Sequence, residues 1–253
     1  MSGNVYVGTA GWALPKPHAH AFPEGGSQLA RYAQRFPMVE INSTFWRRHR
    51  PATFQRWHDS VPASFKFAVK IPRTLTHEAG LAAPLELLRA FFHDVAPLRR
   101  KLGPVLVQMP ASLEFEARRA GAFFRTLRSL HAGCVVCEPR HASWYGGRAD
   151  ELFLLHRVTR VIADPPRPPV ASEPGGARSV VYLRLHGSPH RYYSSYDTER
   201  LQQFAGVIAR RGRCAAYCVF DNTASGAAAG DALRMLELTP RGRKAAAPAI
   251  TAE

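Results

Sequence analysis

Eight short apolar runs rich in β-branched residues recur along the chain, at residues 4–9, 38–42, 65–70, 104–109, 134–138, 160–164, 180–186 and 215–221. Segments of longer period separate them. Leu29, Tyr32, Ala33 and Phe36 share one helical face, and so do Leu85, Leu88, Phe91 and Phe92. Ala120, Phe123, Phe124 and Leu127 form a third such set, and Leu201, Phe204, Ala205 and Ile208 a fourth. Spacings of three and four predict amphipathic helices, because those positions line one stripe of a 3.6-residue turn. Strands that alternate with helices predict a parallel sheet. Eight such units within residues 1–238 suit a single-domain (β/α)8 barrel of the TIM type. The proline-rich residues 165–174 read as a loop inside that domain. Residues 239–253 (TPRGRKAAAPAITAE) lose all apolar periodicity and are expected to form a disordered basic tail.

The polar residues interrupting these runs cluster at their C-terminal ends. In order, these are Glu40 and Asn42, Lys70, Gln108, Glu138 and Arg140, Asp164, Arg184 and His186, and Asp221 and Asn222. Trp12 follows the first run. Active sites of barrels of this type form at the C-terminal face of the strands. Residues two apart in a strand share a face. Glu40 therefore points with Asn42, Arg184 with Tyr182 and His186, and Glu138 with Val136 and Arg140. Val181, Leu183 and Leu185 form the opposite, apolar face of the seventh strand. The polar set is thus expected to face the barrel axis. There Glu40 can pair with Lys70, and Glu138 with Arg184, since an unpaired buried charge costs several kcal/mol.

Composition changes this picture modestly. The 253 residues carry 34 Lys and Arg against 19 Asp and Glu, a net charge of +15. A basic surface attracts polyanions, although an Arg-, Ala- and Pro-rich composition gives the same excess without any such role. No run of about 18 apolar residues suggests a membrane span. The opening MSGNVYVGTAGW passes into a strand without a charged, apolar leader, so the cytoplasm is the expected compartment. The pairs Cys134/Cys137 and Cys214/Cys218 fall at strand starts. Cys134 and Cys137, three apart, would point to opposite faces and fail to converge on one ion. Buried, inert thiols are expected.

The stretches VGTAGW, VEINSTFWR, FKFAVKIPRTLTH, LGPVLVQMPAS, CEPRHASW, VIADPP, YLRLHGS and FDNTASGAAAGDAL resemble, in order, the motifs of the YecE-like family, domain of unknown function 72. The resemblance implies a TIM-barrel-like fold and supplies no activity. Three positions depart from the family's usual pattern. Trp46 stands where Tyr is usual, Pro139 where Phe is usual, and Asp221 where the last motif usually has a first Asn.

A His beside carboxylates can shuttle protons next to an anionic substrate. The leading expectation is a hydrolase acting by acid/base chemistry on a phosphate-bearing substrate, either a nucleotide or nucleic acid. Glu40 and His186 would transfer protons, with Glu138 and Asp164 orienting them or holding a cation. Arg140 and Arg184 would clamp the anion. Trp12, Asn42, Lys70, Gln108, Asp221 and Asn222 complete the expected substrate contacts. Lys70 as a Schiff-base amine is a further option, and an ion pair with Glu40 the plainer reading. Oxygen ligands with one His are compatible with a divalent metal, but no ligand-spaced motif requires one. Trp46, Trp144, Tyr192 and Tyr193, interleaved with arginines, could stack on bases. Two alternatives stay open: a nucleic-acid-binding protein without catalysis, and a metal-dependent sugar isomerase or lyase. The oligomeric state is left open.

Overall fold

The computed structural model describes residues 3–82 and 84–239, so the expected tail lies outside the described residues apart from Thr239. All eight runs form strands, and the described residues hold ten strands in all. These are β1 (Val5–Thr9), β2 (Met38–Ile41), β3 (Lys66–Lys70), β4 (Leu102–Gln108), β5 (Val135–Glu138), β6 (Val158–Arg160), β7 (Ile162–Asp164), β8 (Gly175–Gly176), β9 (Val180–Leu185) and β10 (Ala215–Phe220). The sixth run departs from the expected single strand. It starts earlier and divides at Val161, because β6 follows the ladder of β5 while β7 pairs with β9. The two-residue β8 lies antiparallel to β6, and all other ladders are parallel.

The result is a mixed α/β fold with two sheets, ordered β1-β10-β9-β7 and β2-β3-β4-β5-β6-β8. They meet at two places. One is the chain itself at Val161. The other is a single parallel bridge, Ala10 to Glu40, where the Gly11 N–H donates to the Glu40 carbonyl at 2.8 Å. Beside it, the Tyr32 hydroxyl accepts from the Thr9 N–H at 2.8 Å and donates to the Met38 carbonyl at 3.0 Å. A side chain thereby satisfies backbone groups that a regular ladder would pair. Gly8 is required here, since a Cβ would lie 2.2 Å from the Met38 carbonyl oxygen.

The helices are α1 (Gln28–Ala33), α2 (Ser43–Trp46), α3 (Pro51–Asp59), α4 (Leu85–Val95), α5 (Ala117–Leu130), α6 (Gly147–Leu155), α7 (Thr198–Ala209) and α8 (Ala227–Leu238). The four predicted stripes fall on α1, α4, α5 and α7, with Phe36 just past the end of α1. Ser27, Glu116 and Asp197 start three of these helices by accepting hydrogen bonds from first-turn amides.

Strand alternation divides the interior. Val39, Ile41, Phe67, Val69, Leu183 and Leu185 join the main core, which the helices cover with Leu29, Leu88, Phe124 and Leu201. Burying each such side chain contributes about 1.5–3 kcal/mol. Met38, Ala68, Leu106, Val136, Val161, Tyr182, Tyr217 and Val219 form a separate, smaller cluster on the other face of the strands. Cys137 belongs to the first cluster and Cys134 packs against the second, so the two thiols do point to opposite faces. All four cysteines are free, with Cys137 and Cys218 buried and Cys134 and Cys214 half-buried. No helix among the described residues is long and apolar enough to cross a membrane.

Candidate active site at the strand ends

One residue pair beyond the small inner cluster, the same face of the same strands turns polar. Met38 is followed by Glu40, Ala68 by Lys70, Leu106 by Gln108, Val136 by Glu138, Tyr182 by Arg184 and His186, and Val219 by Asp221. Period-two alternation therefore stacks a layer of charge on a floor of apolar side chains.

Arg184, fully buried, is the hub of this layer. Its Nε donates to Glu40 at 3.1 and 3.2 Å, and its Nη2 reaches Glu40 Oε1 at 2.7 Å and Asp221 Oδ2 at 3.0 Å. Its Nη1 donates to Glu138 Oε2 at 2.5 Å. The Tyr182 hydroxyl donates to Glu40 Oε2 at 2.7 Å. Glu40 thus receives donors on both oxygens and has no exposed surface. Burial lowers the Arg184 pKa, but Glu40, Glu138 and Asp221 outweigh it and hold the group well above its ordinary range.

His186 is equally buried. Its Nδ1 lies 2.9 Å from Asp221 Oδ2 and its Nε2 lies 3.1 Å from Glu138 Oε1. A doubly protonated ring fills both contacts as a donor, whereas a neutral ring needs one carboxyl to donate. Burial pushes the Glu138 carboxyl up, yet Arg184, His186 and Arg140 together hold it well below the usual carboxylate range. Asp221 behaves alike: burial raises it, and Arg184 and His186 bring it below its ordinary value. Arg140 Nε donates to Glu138 Oε1 at 3.2 Å, and Asn42 Nδ2 approaches Asp221 Oδ1 at 3.4 Å. The Asp221 side chain keeps 13% of its surface and that of Arg140 keeps 21%, against none for His186. Asp221, Arg140 and the half-buried Asn42 are therefore the members of this network nearest solvent.

Lys70 does not make the expected ion pair with Glu40. Tyr182 and Arg184 already occupy both Glu40 oxygens. The Lys70 Nζ instead lies 3.8 Å from the centroid of the Phe45 ring. Thr44, in the turn of α2, sets this contact: its hydroxyl bonds to the Ile41 carbonyl at 3.0 Å and the Lys70 carbonyl at 2.6 Å. Burial, then Arg184, lowers the Lys70 pKa to about 8, against the opposing pull of Glu138, Glu40 and Asp221.

Several expected residues lie elsewhere. Asp164 shares the outer face with Ile162 and Arg160. Its Oδ2 pairs with Arg200 of α7, while its backbone carbonyl accepts from the His186 N–H at 2.7 Å. Asn222 also points outward, donating to Asp231 at 2.7 Å and to the Ser194 carbonyl at 2.9 Å. Trp12 packs edge-on against Trp57 at 5.0 Å, and Trp144 is buried, donating to the Leu113 carbonyl at 2.8 Å. Gln108 stays in the layer, in register with Glu138.

Sequence reasoning missed Tyr182 as a partner of Glu40 and did not place His77 at the site, while Tyr192 was expected only as an aromatic that could stack on a base. Tyr192 meets His186 edge-on at 5.7 Å, and its hydroxyl is near enough to Arg140 to help hold that guanidinium charged. A single π-helical turn, Thr74–Glu78, presents His77 edge-on to Phe45 at 4.9 Å. Burial, then Lys70, Arg140 and Arg73, lowers the His77 pKa to about 4. Such π turns recur at functional sites, and the sequence carries no period that marks one.

A groove of about 370 Å³ lies beside the charged layer, not over it. It shares Thr44 and Phe45 with the surroundings of Lys70 and extends along Trp46, Arg73 and Phe91. Trp46 is 71% exposed. Among the described residues, no three His, Cys, Asp or Glu side chains converge as a metal-ligand set. Three carboxylates of the layer converge on the Arg184 guanidinium instead.

A parallel α/β protein with a charged layer at the C-terminal strand ends is the class these features define. The chain belongs to the family described as "Protein of unknown function DUF72", whose model matches residues 6–252. It is 31% identical over 176 residues to the UPF0759 protein YecE of Escherichia coli (strain K12), covering 67% of this chain and 62% of that protein. The chain thus spans less than two thirds of that relative's length. The fold is similar to that of a DUF72 family protein from Thermotoga maritima MSB8, with a TM-score of 0.75, 26% identity, and coverage of 93% of this chain and 98% of that one. A more distant likeness, with a TM-score of 0.52 and 13% identity, covers 94% of this chain and 42% of a xylose isomerase-like TIM barrel/4-hydroxyphenylpyruvate dioxygenase fusion protein.

Proposed function

We propose that the two sheets form the wall of one (β/α)8 barrel and that the charged layer is its active site. The ladder order supports the barrel: β6 and β7 are consecutive in the chain, and β1 touches β2 through the Ala10–Glu40 bridge. The reaction is acid/base hydrolysis of a phosphate-bearing substrate, a nucleotide or nucleic acid. Asp221 exchanges the proton at the opening, and the buried His186 sets its charge and orientation. Lys70 and Arg140 draw in the anion. Glu40, saturated by Arg184 and Tyr182, is a positioning residue rather than the base.

The observation that carries this reading is His186 held between Asp221 and Glu138, with one of those carboxylates open to solvent. The test is turnover of nucleotides, phosphomonoesters and labelled oligonucleotides, with and without Mg²⁺, by the parent chain and by Asp221→Asn and His186→Gln. Hydrolysis that both variants reduce at least about tenfold, or 1.4 kcal/mol in barrier, supports it. Equal rates in all three proteins, or no turnover of any substrate, contradict it.

Binding without catalysis is the second reading, favoured by the net charge of +15 and by exposed Trp46 beside Arg47. It predicts affinity for single strands that falls steeply with salt and survives Asp221→Asn. A metal-dependent isomerase or lyase fits less well, because the Arg184 guanidinium already occupies the point on which the three carboxylates converge.

A further inference from the structure

We propose that Lys70 is a nucleophilic amine that condenses with the carbonyl of a phosphate-bearing aldehyde. This rests on the reading of the charged layer as an anion-binding active site, and adds a covalent step to it.

The geometry separates Lys70 from the other lysines of the described residues. Lys66 Nζ donates to the Arg100 carbonyl at 2.6 Å. Lys101 Nζ donates to the His58 and Val61 carbonyls at 2.5 and 2.7 Å. Lys16 is exposed to solvent. Lys70 is 8% exposed, and among the described residues it has neither a hydrogen-bond acceptor nor a carboxylate within ion-pair distance. Its Nζ is held over Phe45, whose ring neither accepts a conventional hydrogen bond nor transfers a proton. An amine in water is protonated and solvated. One held in this way needs less desolvation before its lone pair can attack. The pKa of about 8 leaves a useful unprotonated fraction near neutral pH.

The same layer holds the other groups the step needs. Among the described residues the buried Asn42 Oδ1 has no hydrogen-bond partner, while its Nδ2 faces Asp221. An open acceptor and a solvent-reached carboxylate therefore lie on the face that carries Lys70. The charge of Asp221 also acts on Lys70. In the proposed step the Nζ lone pair forms a C–N bond to the carbonyl carbon, and the C=O π pair moves to oxygen, which takes up a proton. The nitrogen loses a proton to the ionised Asp221 carboxylate, giving the neutral carbinolamine. Asp221 returns that proton to the carbinolamine hydroxyl, which leaves as water, so that amine, aldehyde and one proton from solvent give the iminium and water. No oxidant or reductant is involved. Arg140, at the loop side, supplies the charge for the substrate's phosphate.

The test uses the full chain at pH 8 with sodium cyanoborohydride, comparing glyceraldehyde 3-phosphate with uncharged glyceraldehyde, and maps reduced adducts by peptide mass spectrometry. Lys70 is expected to be modified at least tenfold faster than Lys16 with the phosphorylated aldehyde, and at least fivefold slower when the phosphate is absent. Labelling of Lys16 with Lys70 untouched in the folded protein overturns the proposal. So does equal labelling of Lys70 by the two aldehydes. Hydrolysis by Lys70→Arg separates this from the broader reading. Activity retained there without trapping at Lys70 in the parent chain sinks the covalent step and leaves the hydrolytic site standing. Trapping at Lys70 in a protein that hydrolyses nothing supports the amine and removes the hydrolysis.

Discussion

Two buried cations share one layer, and their surroundings are opposite. Arg184 spends its donors on Glu40, Glu138 and Asp221 and is closed to solvent. Lys70, on the other side of the layer, faces a phenylalanine ring and has no hydrogen-bond or ion-pair partner among the described residues. A planar guanidinium suits several carboxylates at once, whereas an ammonium on a flexible stem readily shifts its pKa when buried. The arginine half is therefore built to hold shape, and the lysine half is held in readiness for a ligand. Stability and reactivity should separate between them.

The largest effect is expected on the closed side. Arg184→Met leaves three carboxylates without their common cation and should cost about 3–5 kcal/mol, as removing one partner of a buried pair does. Urea unfolding reads this directly, and a loss below about 1 kcal/mol would break the comparison. Lys70→Met should act in the other direction. Its pKa is lowered on folding, from 10.5 to about 8, so the folded state binds the proton less well than the unfolded chain. Stability then rises between about pH 8 and pH 10.5, by up to roughly 3 kcal/mol at 1.36 kcal/mol per unit. Lys70→Met should accordingly be more stable than the parent at pH 7, with the gap closing towards pH 10. A variant destabilised at pH 7 contradicts the account of Lys70.

Tyr182→Phe removes one charge-assisted hydrogen bond to Glu40 and should cost about 1.5–3 kcal/mol. A smaller, pH-dependent effect belongs to Glu138 and Asp221. Their pKa values are depressed on folding, so they stabilise the protein above the ordinary carboxylate values of about 4 and lose that contribution as pH falls through the folded values. Asp221→Asn should flatten the acid limb of the stability profile. An unchanged acid limb would show that Asp221 is not held by Arg184 and His186. The smallest effect is expected at exposed Trp46, where Ala should change stability by no more than about 0.5 kcal/mol.

Much of this layer was legible in the sequence through parity. Glu40 with Asn42, Tyr182 with Arg184 and His186, and Glu138 with Arg140 each follow from residues two apart sharing a face. The same parity explains the expected site residues that lie elsewhere. Asp164 and Asn222 sit at strand ends, but Ile162 and Phe220 before them belong to the outer core and carry them outward. A polar residue at a strand end is thus insufficient without the face it lies on. The break of the sixth run at Val161 had no local signal, because it depends on which neighbour each half pairs with. The Tyr32 hydroxyl between β1 and β2 was equally unreadable: a helical spacing shows that Tyr32 is buried, but not that its tip reaches two backbones. The Lys70–Glu40 pairing failed for a related reason. Neighbouring strands were identified correctly, but Tyr182 and Arg184, from across the interior, reach the carboxylate first.

The most direct measurement is the titration of Lys70 itself. The full sequence holds few lysines, so ¹³C NMR of ε-labelled lysine, with the Lys70 signal assigned by Lys70→Arg, resolves it. A midpoint near about 8, below the ordinary lysine value of about 10.5, is the predicted result. A Lys70 midpoint at or above that ordinary value would mean that the ammonium is paired, and would contradict the division of the layer into a closed and an open half.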